Sequence, residues 1–143
     1  MSDIGSIRPL EGIRVLGLEQ YIAGPYCTML LADAGAEVIK IERPGCGDPR
    51  RAIPPFAERN GQKKAAGFMG YNRNKKSLAL NLQAPEGQEV FRKLATRSDV
   101  VIENLRPGSM AKKGTGGKPS PGSLAGATGD GKGWSEGSCQ PGL

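Results

Sequence analysis

The chain has 143 residues, 37% of them apolar and only 5% aromatic, and a formal net charge of +6. That length suffices for one domain with a modest, aliphatic core. There is no histidine, which excludes histidine-based catalytic triads and histidine-containing zinc sites. Cys27, Cys46 and Cys139 form no Cys-x-x-Cys pair, so neither a disulfide framework nor a bound metal is expected. No apolar run approaches the roughly 18 residues needed to span a bilayer. The N-terminal Met1-Ser-Asp-Ile-Gly-Ser-Ile-Arg-Pro9 lacks the basic-then-apolar form of a signal peptide. A soluble, cytoplasmic protein without membrane contact is the expectation.

In chain order, residues 1–9 read as a short arm and Ile13 to Leu18 as a first strand. Its near-continuous apolar run suits a sheet covered on both faces. Gly24 loosens the backbone after the loop Glu19 to Ile22, and Pro25 suits the first turn of a helix, where its missing N–H is not needed. Cys27, Leu30, Leu31 and Ala34 fall at i, i+3, i+4 and i+7, which predicts the buried stripe of that helix. Gly35 is a natural stop, and Val38 to Ile41 predicts a second strand. Strand, helix and strand within about 30 residues make a βαβ unit.

Pro44 to about Ala66, punctuated by glycine and proline, is expected to be a long irregular loop of functional or disordered character. Leu78, Leu80 and Leu82 alternate with small or polar residues and predict a strand. Pro85 and Glu86 open a second helix with the acid near the positive end of the dipole. Val90, Phe91 and Leu94 form its expected buried stripe, and Val100 to Ile102 predict a last strand. The alternation is that of a parallel α/β sheet. Past Gly114 the character changes. Residues 115–143 carry nine glycines and three prolines, with Leu124, Trp134 and Leu143 as their only large apolar residues. Such a segment does not offset its ordering entropy, and it is expected to be disordered.

Nine basic residues lie between Arg43 and Lys76 against Asp48 and Glu58, a local charge of +7 that exceeds the net charge of the chain. This favours an anionic partner or, in the plainer reading, a solvated loop. Aromatics among these bases are sparse (Phe56, Phe68, Tyr71), so no platform for stacking nucleic-acid bases is evident. In open α/β sheets, ligands collect at the carboxyl ends of strands and at helix N-termini. Three such ends are visible: Glu19 to Gly24, Glu42 to Gly45, and Glu103 to Gly108. The first lacks a Gly-x-Gly-x-x-Gly fingerprint, which speaks against NAD or FAD. Arg43, Asn104, Arg106, Lys112 and Lys113 are suitable groups for a nucleotide bearing several phosphates.

These residues carry a resemblance. Leu10-Glu-Gly-Ile-Arg-Val-Leu16, Ala23-Gly-Pro25, Leu31-Ala-Asp-Ala-Gly-Ala-Glu-Val-Ile-Lys-Ile-Glu-Arg-Pro44, Gly47-Asp-Pro49, Asn72-Arg-Asn-Lys-Lys-Ser77 and Glu103-Asn-Leu-Arg-Pro-Gly108 resemble the family III CoA-transferases, the CaiB/BaiF group. The likeness runs from about Leu10 to Gly114 and departs at Leu105, where the family usually has phenylalanine. It implies a Rossmann-like parallel sheet, the N-terminal part of the family's large domain, over 10–114, with the tail 115–143 outside it. It also implies coenzyme A as substrate and carrier, an acyl-CoA and a carboxylic acid as partners, and an interlocked homodimer in intact members. By position, Ile22 and Ala23 would line the CoA, and Arg43 and Lys112 would face its phosphates. Leu80, Asn81, Leu82 and Gln83 would flank the adenosine, with Asn104, Leu105 and Arg106 along the same cleft. A phosphate prefers charge-assisted donors, which suits Arg43 and Lys112.

The family's reaction moves CoA between carboxylic acids through an aspartyl nucleophile. That aspartate lies downstream of the last motif, so no catalytic residue is expected in this chain, which alone is expected to be inactive. Asp130 stands in the tail without supporting groups. The abrupt change near Gly114 is what a shifted reading frame or a truncated gene would produce, and translating the coding DNA in the other two frames tests it. Two alternatives remain: a 2-methylacyl-CoA racemase-like member, and a non-catalytic nucleotide- or nucleic-acid-binding fragment. Racemases tend to have a much shorter connection than the 30 residues from Pro44 to Arg73, which favours the transferase.

Overall fold

The computed structural model describes residues 8–112. The expected disorder of 115–143 lies outside the described residues, as do Lys113 and Gly114. Four parallel strands form the sheet: β1 (Arg14–Leu18), β2 (Glu37–Glu42), β5 (Lys75–Ala79) and β6 (Val100–Glu103), in the order β5-β2-β1-β6. Val15 stands beside Val38 on one side and Val100 on the other, and Ile39 stands beside Lys76. Helix α1 (Ala23–Asp33) joins β1 to β2, and α3 (Pro85–Ala95) joins β5 to β6.

The pleat divides the core into two layers, because successive side chains of a strand point to opposite faces. Val15, Val38 and Ile102 pack with Ala32 of α1 on one face. Leu16, Leu18 and Ile41 pack with Phe91 of α3 on the other. The chain runs outward from β1 to β5, then returns past β1 to β6. Helices on opposite faces are what right-handed crossovers require when the direction of travel reverses. The point of reversal lies between β1 and β6, and it is there that such sheets open a crevice.

Helix α1 ends as expected. Gly35 stands at φ +103°, with Gly35 N donating to Ala32 O and Ala36 N to Leu31 O, both at 3.0 Å, a Schellman stop. Its buried face differs from the expected one. Gly24, Pro25, Thr28, Met29 and Ala32 face inward, whereas Cys27 is exposed and Leu30 is 48% exposed. Leu31 and Ala34 are half-buried. The buried stripe is displaced by two residues, about 160° around the axis, because Thr28 must reach the Glu19 carboxylate beneath it and small residues let the helix lie close to the sheet. In α3, likewise, Gly87 and Phe91 are buried and Leu94 packs against the core, while Val90 is 41% exposed.

The segment expected to be irregular is built. A 3-10 helix (Pro49–Ala52) precedes the antiparallel hairpin β3 (Phe56–Arg59) and β4 (Gln62–Ala65), and α2 (Ala66–Tyr71) follows. Asn60 and Gly61 turn the hairpin at φ +52° and +72°, the left-handed pair that a two-residue turn requires. Strand β5 stops at Ala79, yet Leu78, Leu80 and Leu82 all pack on the α3 layer, on the face their alternation predicts. A short helix α4 (Ser109–Lys112) closes the described chain.

Candidate functional site

Parallel strands bring their carboxyl ends to one edge, and the candidate residues gather there in two groups. At the β1/β6 end, Asn104 spans the reversal point. Its Oδ1 accepts from Gln20 N at 2.8 Å and its Nδ2 donates to Gln20 O at 2.9 Å. Its amide is therefore engaged with backbone rather than directed at solvent. Gly24 makes this possible, since a Cβ there would stand 2.9 Å from Asn104 Cγ. Ile22 and Ala23 are exposed at the entry to α1. Leu105 packs on the α3 layer, its N–H held by Glu103 Oε2 at 2.7 Å, and Arg106 is exposed. Lys112 ends α4.

At the β2/β5 end, Arg43 follows the last residue of an interior strand and is exposed. It lines a hollow of about 250 Å³ with Gly45, Cys46, Gly47, Arg51 and Ser77. Gly47 N donates to Arg43 O at 3.0 Å and closes the turn. Arg51 is paired with Glu42 at 2.9 Å and lies 3.7 Å from the centre of the Phe68 ring, whereas among the described residues Arg43 has no ion pair like those that hold Arg14, Arg51 and Arg73. Leu80 N donates to Glu42 O at 2.9 Å, which ties the next candidate segment to the same strand end. Leu80 and Leu82 turn into the core, leaving Asn81 and Gln83 exposed. Asn81 Oδ1 accepts from Gln83 N at 3.0 Å, a local turn before α3.

Beneath this edge lies a charged cluster that the sequence reading did not find. Glu19, Lys40 and Asp48 are almost wholly buried, and the Lys75 side chain is 2% exposed. Lys40 Nζ donates to Asp48 Oδ2 at 2.8 Å and to Glu19 O at 3.0 Å. Lys75 Nζ donates to Pro25 O at 2.8 Å, to Asn72 Oδ1 at 3.1 Å and to Glu19 Oε1 at 3.2 Å. Thr28 Oγ1 donates to the same Glu19 oxygen at 3.0 Å. Two carboxylates thus face two ammonium groups, a balance that burial demands. Burial pushes the Lys75 pKa below the ordinary lysine value, against the attraction of Glu19. Gly17 leaves room for the Glu19 carboxylate, whose Oε2 has no hydrogen-bond partner among the described residues. The available signal was Lys40 itself, a charge set inside the apolar run of an interior strand.

Four bases of the segment are ion-paired within the fold, and of these only the Lys75 side chain is buried. Arg51 pairs with Glu42, Arg73 with Asp33, Lys75 with Glu19 and Lys76 with Glu37. Arg43, Lys63 and Lys64 remain exposed. Among the described residues no helix is long and apolar enough to cross a membrane.

Comparison with known proteins agrees with this geometry. The family model described as CoA-transferase family III matches residues 10–119. The chain is 47% identical over 116 residues to the succinyl-CoA:glutarate CoA-transferase of Mus musculus, covering 80% of this chain and 26% of that protein. It is 53% identical over 105 residues to the succinyl-CoA:mesaconate CoA-transferase of Haloarcula marismortui, covering 72% and 26% respectively. The crystal structure of a CaiB/BaiF family protein from Brucella suis superposes with a TM-score of 0.71 at 40% identity, over 78% of this chain and 29% of that one. The chain thus spans about a quarter of the length of these curated relatives. With the strand order, the reversal point and the sequence match in agreement, the chain belongs to CoA-transferase family III.

Proposed function

We propose that this chain forms the coenzyme A-binding part of an enzyme that moves CoA between carboxylic acids. The observation that carries the reading is Arg43, an exposed guanidinium at the carboxyl end of an interior parallel strand, beside a hollow edged by the Gly45–Gly47 turn. A phosphate there gains charge-assisted hydrogen bonds without displacing an existing ion pair. Ile22 and Ala23 offer an apolar wall at the neighbouring strand end, and Asn81, Gln83 and Arg106 offer exposed polar groups along the same edge. The relatives named above take succinyl-CoA, which makes it the donor to test first.

The described aspartates are all engaged. Asp33 pairs with Arg73, Asp48 with Lys40, and Asp99 accepts from Arg14 N at 2.8 Å. Each thus has a role in holding the fold, and the resemblance implies an aspartyl nucleophile downstream of the Glu103 to Gly108 motif. The 143-residue chain is accordingly expected to bind CoA and to show no transfer from succinyl-CoA to glutarate or mesaconate. Equilibrium dialysis with CoA tests the binding half. Arg43→Ala is expected to weaken it about tenfold, the lower end for loss of a hydrogen bond to a charged group. Equal affinity in the variant, or turnover by the chain, would overturn the corresponding half of the proposal.

A further inference from the structure

Between the β1–α1 loop and the Arg43 turn sits Asp48, which CoA binding as described does not use. It is the N-cap of the 3-10 helix and is 2% exposed. Its Oδ1 accepts from Tyr21 N at 3.2 Å and from Arg50 N at 2.9 Å, and its Oδ2 accepts from Lys40 Nζ at 2.8 Å. The β1–α1 loop is therefore gripped at successive points. Lys40 holds Glu19 O, Asn104 holds both backbone groups of Gln20, Asp48 holds Tyr21 N, and Lys75 holds Pro25 O. Lys40 belongs to β2, Lys75 to β5, and Asn104 follows β6, so each of the other three strands supplies an anchor. Tyr21 stands at φ +66°, a left-handed conformation that a non-glycine residue keeps only when its surroundings impose it.

A buried ion pair adds little stability compared with apolar residues of similar size. Here the charged groups aim their remaining hydrogen bonds at loop backbone, which points to placement. We infer that Lys40 and Asp48 are positioning residues for CoA binding: together they fix the Ile22–Ala23 turn relative to Arg43, so that the ligand meets both without reordering the loop. This rests on the CoA-binding reading above.

The test uses the full chain with Lys40→Met and Asp48→Leu combined, which removes one charge of each sign and leaves Glu19 paired with Lys75. The expected result is a native circular-dichroism spectrum, faster hydrogen exchange at the Tyr21 amide with β1 amides unchanged, and CoA affinity weakened about tenfold by the loop's lost order. A folded double variant with wild-type Tyr21 exchange, or with wild-type CoA affinity, would overturn the inference. Should it not fold, Asp48→Glu, which keeps the charge but shifts the carboxylate by one methylene, is read the same way. Absence of CoA binding by the wild-type chain would sink the functional reading, while Tyr21 exchange would still decide whether the pair holds the loop.

Discussion

Replacing Gly24 by alanine would set a methyl group 2.5 Å from Glu19 Cβ, 2.9 Å from Asn104 Cγ and 3.1 Å from Asn104 Oδ1. Alanine in a helix gains up to about 1 kcal/mol over glycine, so propensity alone predicts a more stable protein. Against that gain stand two costs. Overpacking at such distances costs about 1–3 kcal/mol. Displacing Asn104 breaks both of its bonds to Gln20, at about 1 kcal/mol each. The net is a loss of roughly 2–4 kcal/mol, or a melting temperature lower by roughly 10–25 °C in a domain of this size. Thermal and urea unfolding followed by circular dichroism measure it. Asn104→Ala supplies the control, because it removes one of the two side chains that the new methyl would strike. In that background Gly24→Ala is expected to cost at least about 1 kcal/mol less than in the wild type. A Gly24→Ala protein as stable as the wild type, or strict additivity of the two changes, would refute the close approach at the reversal point.

Gly87→Ala is expected to destabilise more than Gly24→Ala, since its Cβ would overlap the Asn81 carbonyl oxygen, which is backbone and does not swing aside; urea midpoints give the ranking. Met29 faces the sheet and Leu30 faces solvent, so Met29→Ala should cost about 2–5 kcal/mol and Leu30→Lys less than about 0.5 kcal/mol. The reverse order would mean that the helix presents its other face. Hydrogen bonds from Lys76 and then Arg14 hold the Glu37 carboxyl below its usual value of 4.5, and Arg73 holds Asp33 below 3.8. A carboxylate with a depressed folded-state pKa contributes stability above its unfolded value and loses it as pH falls through the folded one. Urea midpoints should therefore drop as pH is lowered below about 4.5, and the drop should be smaller in Glu37→Gln.

Much of the fold was legible because its signals are local. The apolar strand Arg14–Leu18, the glycine stop at Gly35, and Pro85 at the start of α3 each act within a few residues. The helix faces were not legible, because they depend on partners distant in sequence. Thr28 turns inward only because Glu19 is buried beneath it, and Glu19 is buried only because Lys40 and Lys75 meet it from two other strands. Apolar spacing alone therefore points to Cys27 and Leu30, whereas Thr28, Met29 and Ala32 face the sheet. The hairpin at Asn60-Gly61 is legible locally, since an Asn-Gly pair is the strongest short signal for a two-residue turn. At the candidate site, Arg43 followed from its place at a strand end. The bonds of Asn104 to Gln20, at 2.8 and 2.9 Å, are not legible, because they join residues distant in sequence.

The most direct test of the central claim is a titration of the isotope-labelled chain with coenzyme A, followed by amide chemical shifts. The shifts expected to move belong to Ile22 and Ala23, Arg43 to Gly47, Leu80 to Gln83, and Asn104 to Arg106, all at the carboxyl edge of the sheet. Amides at the opposite edge, such as Ile13 and Asp99, should stay still. Saturation with no movement at the carboxyl edge, or movement confined to the hairpin Phe56–Arg59 and Gln62–Ala65, would contradict it.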